Sequence, residues 1–388
     1  MKKQYEIAVI GGGPAGGMAA WKAAGMGALT ILLERDREIG IPVRCGEMAA
    51  VDIFEQYFPI KEKLIANRII AIEYISPDFK STLIKLGDKS VILERKFFDA
   101  YIVEQAGKAG AEIYTLADVS GMKRIETGWE ISITHNGLHK KIKANIVIAA
   151  DGVESQVARW AGIKTTLSLN DLISAVQYDL TNLKIKHPQH CLFYFGNSIA
   201  PGGYIWVFPK TSTRANVGAG ILASRSCGNT AKHYLDIFIK KHLPEGKPVG
   251  LVTGGIPVAQ QLKELVADNL LIVGDAARLT DPITTAGIRH AAISGVNAGE
   301  VAGKAIQIKK YNKKYLSKYS RLWKKEIGNK QKINYKIKNH VLKMNDKELC
   351  RINGLARKAS SEKMTLTKIL KLVIKSNPKL LAEILIGK

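Results

Sequence analysis

Three glycines, Gly11, Gly13 and Gly16, stand near the start of the chain in the spacing G-x-G-x-x-G. Each place suits a pyrophosphate. Gly11 permits a tight turn, Gly13 lets phosphates approach the backbone, and Gly16 lets a helix close on the preceding strand. Glu34 ends the next apolar run, where an acid can accept hydrogen bonds from a ribose. The chemistry is dinucleotide binding, and these residues alone do not separate NAD from FAD. A second set points elsewhere. Tyr204, Trp206 and Phe208 alternate ahead of Pro209, so the three rings share one face of a strand. Such a face can line an apolar channel and stabilise developing positive charge; an ordinary β-core face has the same pattern. Cys45 follows Arg44, whose charge favours a reactive thiol that can supply a proton, or the cysteine is a small residue packed beside a ring.

The elements that must position these residues read as alternating strand and helix. Residues 5–10 are a short apolar strand, an Ala-rich helix runs from Met18 to Gly25, and Leu29–Leu33 is the second strand. Strands are expected around 69–75 and 90–93, and a helix over 97–109 with Phe98, Tyr101, Ile102 and Gln105 at helical spacing. His135-Asn136-Gly137 marks a hairpin between strands at 129–134 and 142–149. Residues 170–260 are strand-rich, and a buried parallel strand resumes at Leu270–Val273. A long helix follows Gly287 to about Ile308. The remainder reads as helical, with Ile308, Tyr311, Tyr315, Tyr319 and Leu322 on one amphipathic face. Gly218-Ala219-Gly220 and Gly254-Gly255 lack the context of a second fingerprint.

At 388 residues, 46% of them hydrophobic, the chain can bury a large core in two or three domains. The first strand starts at once, so no cleavable leader is expected before it. No run approaches the ~18–20 apolar residues of a membrane span. Cys45, Cys191, Cys227 and Cys350 are scattered with no C-x-x-C, which predicts a reduced, cytoplasmic protein without a metal site. Net charge is +24, and residues 304–388 hold 24 Lys and Arg against 5 acids. That patch suits an anionic membrane surface or an acidic protein, or it reflects compositional bias in a lysine-rich chain. Nucleic acid is not expected, since no nucleic-acid motif accompanies the charge. Leu366, Ile369, Leu370 and Val373 share a face, and Pro378 breaks the segment into two basic amphipathic helices, for a membrane or for the protein's own surface.

Asp151-Gly152, continuing to Ser155, Val157 and Arg159, resembles the A-D-G-x-x-S-x-V-R segment of the p-hydroxybenzoate hydroxylase superfamily of flavoproteins, with Ala158 as one extra residue. Gly274-Asp275-Ala276-Ala277, followed by Asp281-Pro282 and Gly287, resembles its second FAD signature. There Asp275 would accept from ribityl hydroxyls, and the helix opened by Gly287-Ile288 would face the flavin ring, where reduction builds negative charge. More narrowly, Pro42–Glu47 is similar to the P-x-R-C-[AG]-E segment of the geranylgeranyl reductase family, and Tyr204–Pro209 to its Y-x-W-x-F-P motif. Its archaeal digeranylgeranylglycerophospholipid reductase branch fits the length and the Arg-Cys segment.

This resemblance spans roughly residues 1–310 and implies an α/β class (α+β overall). It gives a Rossmann-like FAD-binding domain of p-hydroxybenzoate hydroxylase type at 1–60, 90–165 and 268–306. A β-rich substrate domain would occupy 61–89 and 166–267, and a basic helical region 307–388. Cofactor contacts would fall on Gly11, Gly13, Ala15, Gly16, Glu34, Arg44, Cys45, Gly46, Met48, Arg95, Val119, Asp151, Asp275, Gly287 and Ile288. Tyr204, Trp206, Phe208 and Pro209 would line the substrate, with Cys45 the candidate catalytic residue. The implied reaction is FAD-dependent reduction of isolated C=C bonds in prenyl chains of a glycerophospholipid, with electrons from reduced ferredoxin or NAD(P)H. A monooxygenase or halogenase of the same fold is the alternative. Three departures stand out: the pattern has glycine where this chain has Met48, Arg278 and Thr285.

Overall fold

The computed structural model describes residues 1–358 and 365–375. The chain forms two compact units. The first comprises Met1–Val43, Arg95–Thr166 and Ala259–Lys332; the second comprises Arg44–Glu94, Leu167–Val258 and the described residues from Ile333 on. Residues 44–60 and 90–94 therefore lie with the β-rich unit, and the basic helical region divides at 332.

In the first unit an eight-stranded sheet has the order Val266–Ala267, Leu270–Ile272, Leu138–Ala149, Gln4–Ile10, Thr30–Leu33, Glu112–Tyr114, with a side branch through Gly128–His135 and Ala117–Ile125. The central pairs are parallel and in register: Ile10 lies beside Leu33 and Ala149, and Ala149 beside Ile272. These strands are buried on both faces, so they read as continuous apolar runs. Helix Pro14–Gly25 packs against both Arg95–Lys108 and Ile288–Gln307. Because the four central strands are parallel, the loops following Ile10, Leu33, Ala149 and Ile272 all leave by the same edge, where doubly wound sheets bind ligands. Those loops hold Gly11–Gly16, Glu34, Asp151 and Asp275.

The hairpin expected at His135-Asn136-Gly137 is present, with Asn136 and Gly137 both left-handed at φ 50° and 78°. The single amphipathic face expected across Ile308–Leu322 is not. The long helix ends at Gln307, Asn312 caps a new helix Lys313–Trp323 by accepting from the Tyr315 N–H, and the buried positions are Leu316, Tyr319 and Trp323. Tyr319 belongs to both readings; Leu322 faces outward and Leu316 inward because the helix restarts one residue out of phase.

The second unit is built on a seven-stranded sheet in the order Lys247–Pro257, Leu172–Thr181, Ala215–Leu222, Tyr204–Pro209, His190–Phe195, Ala71–Ile75, Ser81–Lys85. All pairs are antiparallel except His190–Phe195 with Ala71–Ile75. Alternation divides the side chains. Ile205, Val207, Val217 and Ala219 pack with Leu235 and Phe238 of helix Ala231–His242. Trp206 and Phe208 pack on the opposite face with Ile69, Ile92, Cys191 and Met48, partly from a three-stranded sheet of Met48–Ala50, Ser90–Leu93 and Ile65–Arg68. Helix Asp346–Lys358 is tied to the same sheet by Asn353, whose amide donates to Ser76 Oγ at 2.6 Å and to the Lys80 carbonyl at 2.7 Å. Helix Leu366–Lys375 buries Ile369 and Val373 and contacts Asp346–Lys358. The break expected at Pro378 lies outside the described residues.

Candidate cofactor and substrate sites

At the carboxyl edge of the parallel sheet, the glycines do what their spacing requires. A Cβ at Gly16 would lie 1.9 Å from the Gly11 carbonyl oxygen, so only glycine lets the helix start this close to the turn. A Cβ at Gly13 would meet nothing within 4 Å, which leaves open space over the loop. Helix Pro14–Gly25 has proline in its first turn, no acidic side chain there and no side-chain cap. Its free N–H groups and positive dipole end are available to phosphate oxygens. The Gly12 N–H donates to Glu34 Oε2 at 2.6 Å and the Asp36 N–H to Oε1 at 2.9 Å. Each oxygen keeps a lone pair for a ligand hydroxyl. The Ala117 N–H donates to the Glu34 carbonyl at 2.9 Å, which starts the strand of Val119 beside that acid.

Asp151 and Asp275 end neighbouring strands. Asp151 Oδ2 accepts the Val157 N–H at 2.9 Å, whereas buried Oδ1 has no hydrogen-bond partner. Burial pushes its carboxyl above the ordinary range, opposed by that N–H. Asp275 is raised by burial too, opposed by the Thr280 hydroxyl, which donates to Oδ1 at 2.6 Å, and by the charge of Arg95. A Cβ at Gly287 would lie 3.4 Å from Asp275 Oδ1, so the start of helix Ile288–Gln307 and the acid share one recess. That helix also lacks a side-chain cap and first-turn acids. An orphaned buried carboxylate oxygen, two uncapped helix N-termini and clear space at Gly13 fit a dinucleotide with a polyol segment and an electron-accepting ring.

Two departures from the glycine pattern occur at left-handed backbone. Arg278 has φ 59° and Thr285 φ 54°. The local path that glycine adopts freely is therefore kept, at a cost of about 1–2 kcal/mol each. Local hydrogen bonds hold it: Gln331 Nε2 donates to the Arg278 carbonyl at 2.8 Å, Arg278 donates to the Thr166 carbonyl at 3.0 Å, and the Thr285 N–H donates to the Asp281 carbonyl at 2.9 Å. Arg95 opens helix Arg95–Lys108 and is paired with Asp99 four residues on.

Arg44, Cys45, Gly46 and Met48 fall in the second unit, and there they meet the aromatic strand. Gly46 sits over Phe208: a Cβ there would lie 2.8 Å from its ring. Met48 joins the cluster around Trp206 and Phe208. The Trp206 indole N–H donates to Gln177 Oε1 at 2.9 Å, and Gln177 Nε2 donates to the Cys45 carbonyl at 3.0 Å. Asn216 Nδ2 reaches the Gly46 carbonyl at 3.2 Å and Glu47 Oε2 at 2.7 Å. Buried Lys210 pairs with Glu47 at 2.6 Å and with Glu94 at 3.2 Å. The Cys45 sulfur accepts the Glu47 N–H at 3.2 Å. The Pro209 carbonyl accepts from Asn67 at 2.9 Å.

The aromatic face extends beyond the three rings read from alternation. Phe193 lies 5.3 Å from Tyr204 and 5.0 Å from Phe208, Phe195 lies 5.4 Å from Tyr204, and Tyr74 stacks on Phe195 at 4.4 Å. Cys191, Phe193 and Phe195 alternate as Tyr204, Trp206 and Phe208 do, so their spacing carried the signal. Gly218 has a packing role: a Cβ there would lie 2.1 Å from Trp206 Cζ2, so glycine clears the space the indole fills. Gln177, Asn216 and Lys210 carried no such signal, because the loop groups they hold lie far away in sequence.

The model of the geranylgeranyl reductase catalytic domain matches residues 171–256, and that of the FAD dependent oxidoreductases matches residues 6–174. The chain is similar to the digeranylgeranylglycerophospholipid reductase of Methanocella arvoryzae, 38% identical with 99% of each chain covered. It is similar to digeranylgeranylglycerophospholipid reductase 1 of Methanococcoides burtonii, 37% identical over 98% of this chain and 94% of that one. Among solved structures, a geranylgeranyl bacteriochlorophyll reductase-like protein from Thermoplasma acidophilum superposes with a TM-score of 0.93 at 35% identity, covering 98% of both chains. A flavin-dependent brominase shares the fold at a TM-score of 0.73 and 14% identity, covering 96% of this chain and 99% of that one.

Proposed function

The chain belongs to the geranylgeranyl reductase family and is a flavin-dependent oxidoreductase with FAD as its cofactor, and from that premise we propose that it saturates isolated C=C bonds in the geranylgeranyl chains of digeranylgeranylglycerophospholipids. The observation that carries this reading is the packing of the Arg44–Glu47 segment on the aromatic face of Tyr204, Trp206 and Phe208. Halogenases and brominases share the fold at low identity.

On this reading Gly11, Gly13, Ala15, Gly16 and Glu34 hold the adenosine and pyrophosphate end. Arg95, Val119, Asp151, Asp275, Gly287 and Ile288 hold the remainder, and Arg44, Cys45, Gly46 and Met48 are further positions to which the family resemblance assigns flavin contacts. FAD held there, once reduced by two electrons from the donor, would supply the hydride. An isolated alkene has no carbonyl to polarise, so as a proton from the protein reaches the less substituted carbon, positive charge develops on the more substituted carbon, which takes the hydride. The faces of Trp206, Phe208 and Tyr204 stabilise that charge, and the Phe193 and Phe195 rings widen the apolar wall that excludes water. The Cys45 thiol, held toward the Glu47 N–H, supplies the proton. Unaltered turnover in Cys45→Ser protein would remove the thiol from the reaction.

Electrons reach the protein from reduced ferredoxin or NAD(P)H. Gly218, one of the remaining glycine-run residues, lies inside a strand, where it clears space for Trp206. The acidic surface of a ferredoxin would suit exposed Lys314, Lys318 and Arg321. Stopped-flow flavin reduction with each donor separates the two. No described helix is long and apolar enough to cross a membrane. Peripheral contact with an anionic bilayer rests on these same cations rather than on Leu366–Lys375, whose Ile369 and Val373 are buried. Absence of liposome binding at low salt would refute it. Conversion of digeranylgeranylglycerophospholipid to products heavier by two hydrogens per bond tests the function itself.

A further inference from the structure

Three buried polar side chains, Gln177, Asn216 and Lys210, converge on the backbone and carboxylate of Cys45–Glu47 from two neighbouring strands and the turn beyond the aromatic one. Gln177 is 7% exposed, Asn216 2% and Lys210 7%. A buried amide needs both its donor and acceptor matched. Gln177 meets that need by spanning two functional elements, with Trp206 on its oxygen and the Cys45 carbonyl on its nitrogen. Asn216 holds the next carbonyl and Lys210 the next carboxylate, so three consecutive residues of the loop are each fixed from the sheet. Glu47 needs such holding: its φ is 70°, a left-handed conformation that a non-glycine residue resists. The Glu47 N–H donates to Cys45 Sγ at 3.2 Å.

We infer that Gln177 is a positioning residue: it locks the Trp206 indole and the Cys45 backbone into one unit, so that the thiol is presented with the Glu47 N–H on its sulfur and the indole plane is set by the same amide. Asn216 and Lys210 complete the clamp. This rests on the proposed reductase function only for its catalytic consequence; the thiol's environment is testable without it. The N–H on Sγ stabilises the thiolate, and loss of one hydrogen bond of ordinary strength corresponds to roughly 2- to 10-fold.

The test uses FAD-loaded enzyme and an uncharged alkylating agent, with Cys45 modification followed by peptide mass spectrometry against exposed Cys227 as an internal reference. In Gln177→Met protein, Cys45 alkylation slows by about 2- to 10-fold relative to Cys227, its pH profile moves upward, and kcat for prenyl reduction falls with KM unchanged. Gln177→Glu protein, which is closest in shape, recovers the wild-type alkylation ratio as pH falls, because the protonated acid restores both donor and acceptor. An alkylation ratio and pH profile equal to wild type in both variants would overturn the proposal, whatever the turnover. If wild-type protein reduces no prenyl chain but the ratio still shifts, the functional reading fails and the clamp stands. If Gln177→Met does not fold, Gln177→Glu alone decides, by the presence or absence of recovery at low pH.

Discussion

Gly218→Ala probes the aromatic site without replacing any ring. A methyl group there would lie 2.1 Å from Trp206 Cζ2 and 2.4 Å from Cε2, with the Val176 carbonyl oxygen at 2.7 Å on the neighbouring strand. Carbon pairs settle at ~3.5–4.0 Å, so the indole must retreat by more than about 1 Å. Overpacking of this kind costs about 1–3 kcal/mol. The retreat also stretches the 2.9 Å bond from the indole to Gln177, adding about 1 kcal/mol. The total is about 2–4 kcal/mol, read from the urea midpoint at unchanged m-value. Turnover should fall further than stability explains, since a ~1 Å misplacement costs roughly 100-fold in rate. Gly121→Ala is the control, since a Cβ there meets nothing within 4 Å and should change stability by less than about 0.5 kcal/mol. A Gly218→Ala protein as stable and active as wild type would refute the packing of Trp206 on this strand.

Lys210→Met removes the buried cation paired with Glu47 and should destabilise by about 3–5 kcal/mol in urea unfolding, with Glu47→Gln added to it recovering most of the loss. A Lys210→Met protein of wild-type stability would contradict the ion pair. Burial raises the Asp275 carboxyl in the folded protein, so the folded state holds its proton more tightly than the unfolded chain. Its contribution is lost as pH rises from the ordinary carboxylate value of about 4 through the folded value. Asp275→Asn apoprotein should therefore match wild type near pH 4 and become the more stable of the two toward pH 7, while its FAD affinity falls; equal pH–stability curves would refute this. Thr285→Gly relieves a left-handed β-branched residue and should raise the melting point by a gain of about 1 kcal/mol, whereas an unchanged or lower value would place the strain elsewhere.

Much of the architecture was legible because its signals are local. The Gly11–Gly16 loop, Glu34, the Asn136-Gly137 turn and the helix after Gly287 are each written within a few residues, and parallel strands buried on both faces announce themselves as apolar runs. Register then brought Asp151 and Asp275 to the edge the fingerprint occupies. The alternation of Tyr204, Trp206 and Phe208 was readable for the same reason, and that of Phe193 and Phe195 has the same period. The clamp on Cys45 was not. Gln177 lies 132 residues from its carbonyl partner, and a buried amide leaves no periodic trace. The restart of the helix at Lys313 was hidden because five apolar residues fell by chance at helical spacing across a loop whose stop signal, Lys309 at φ 52°, is not a glycine.

The central claim is that this flavoprotein reduces prenyl chains rather than oxygenating or halogenating an aromatic ring. Purified FAD-loaded protein, a reduced electron donor and digeranylgeranylglycerophospholipid in vesicles, analysed by lipid mass spectrometry without oxygen, tests it directly. The account predicts stepwise gain of two hydrogens per double bond, abolished in Trp206→Ala protein that still binds FAD. Unchanged lipid, with donor consumed only when oxygen and an aromatic substrate are supplied, would contradict it.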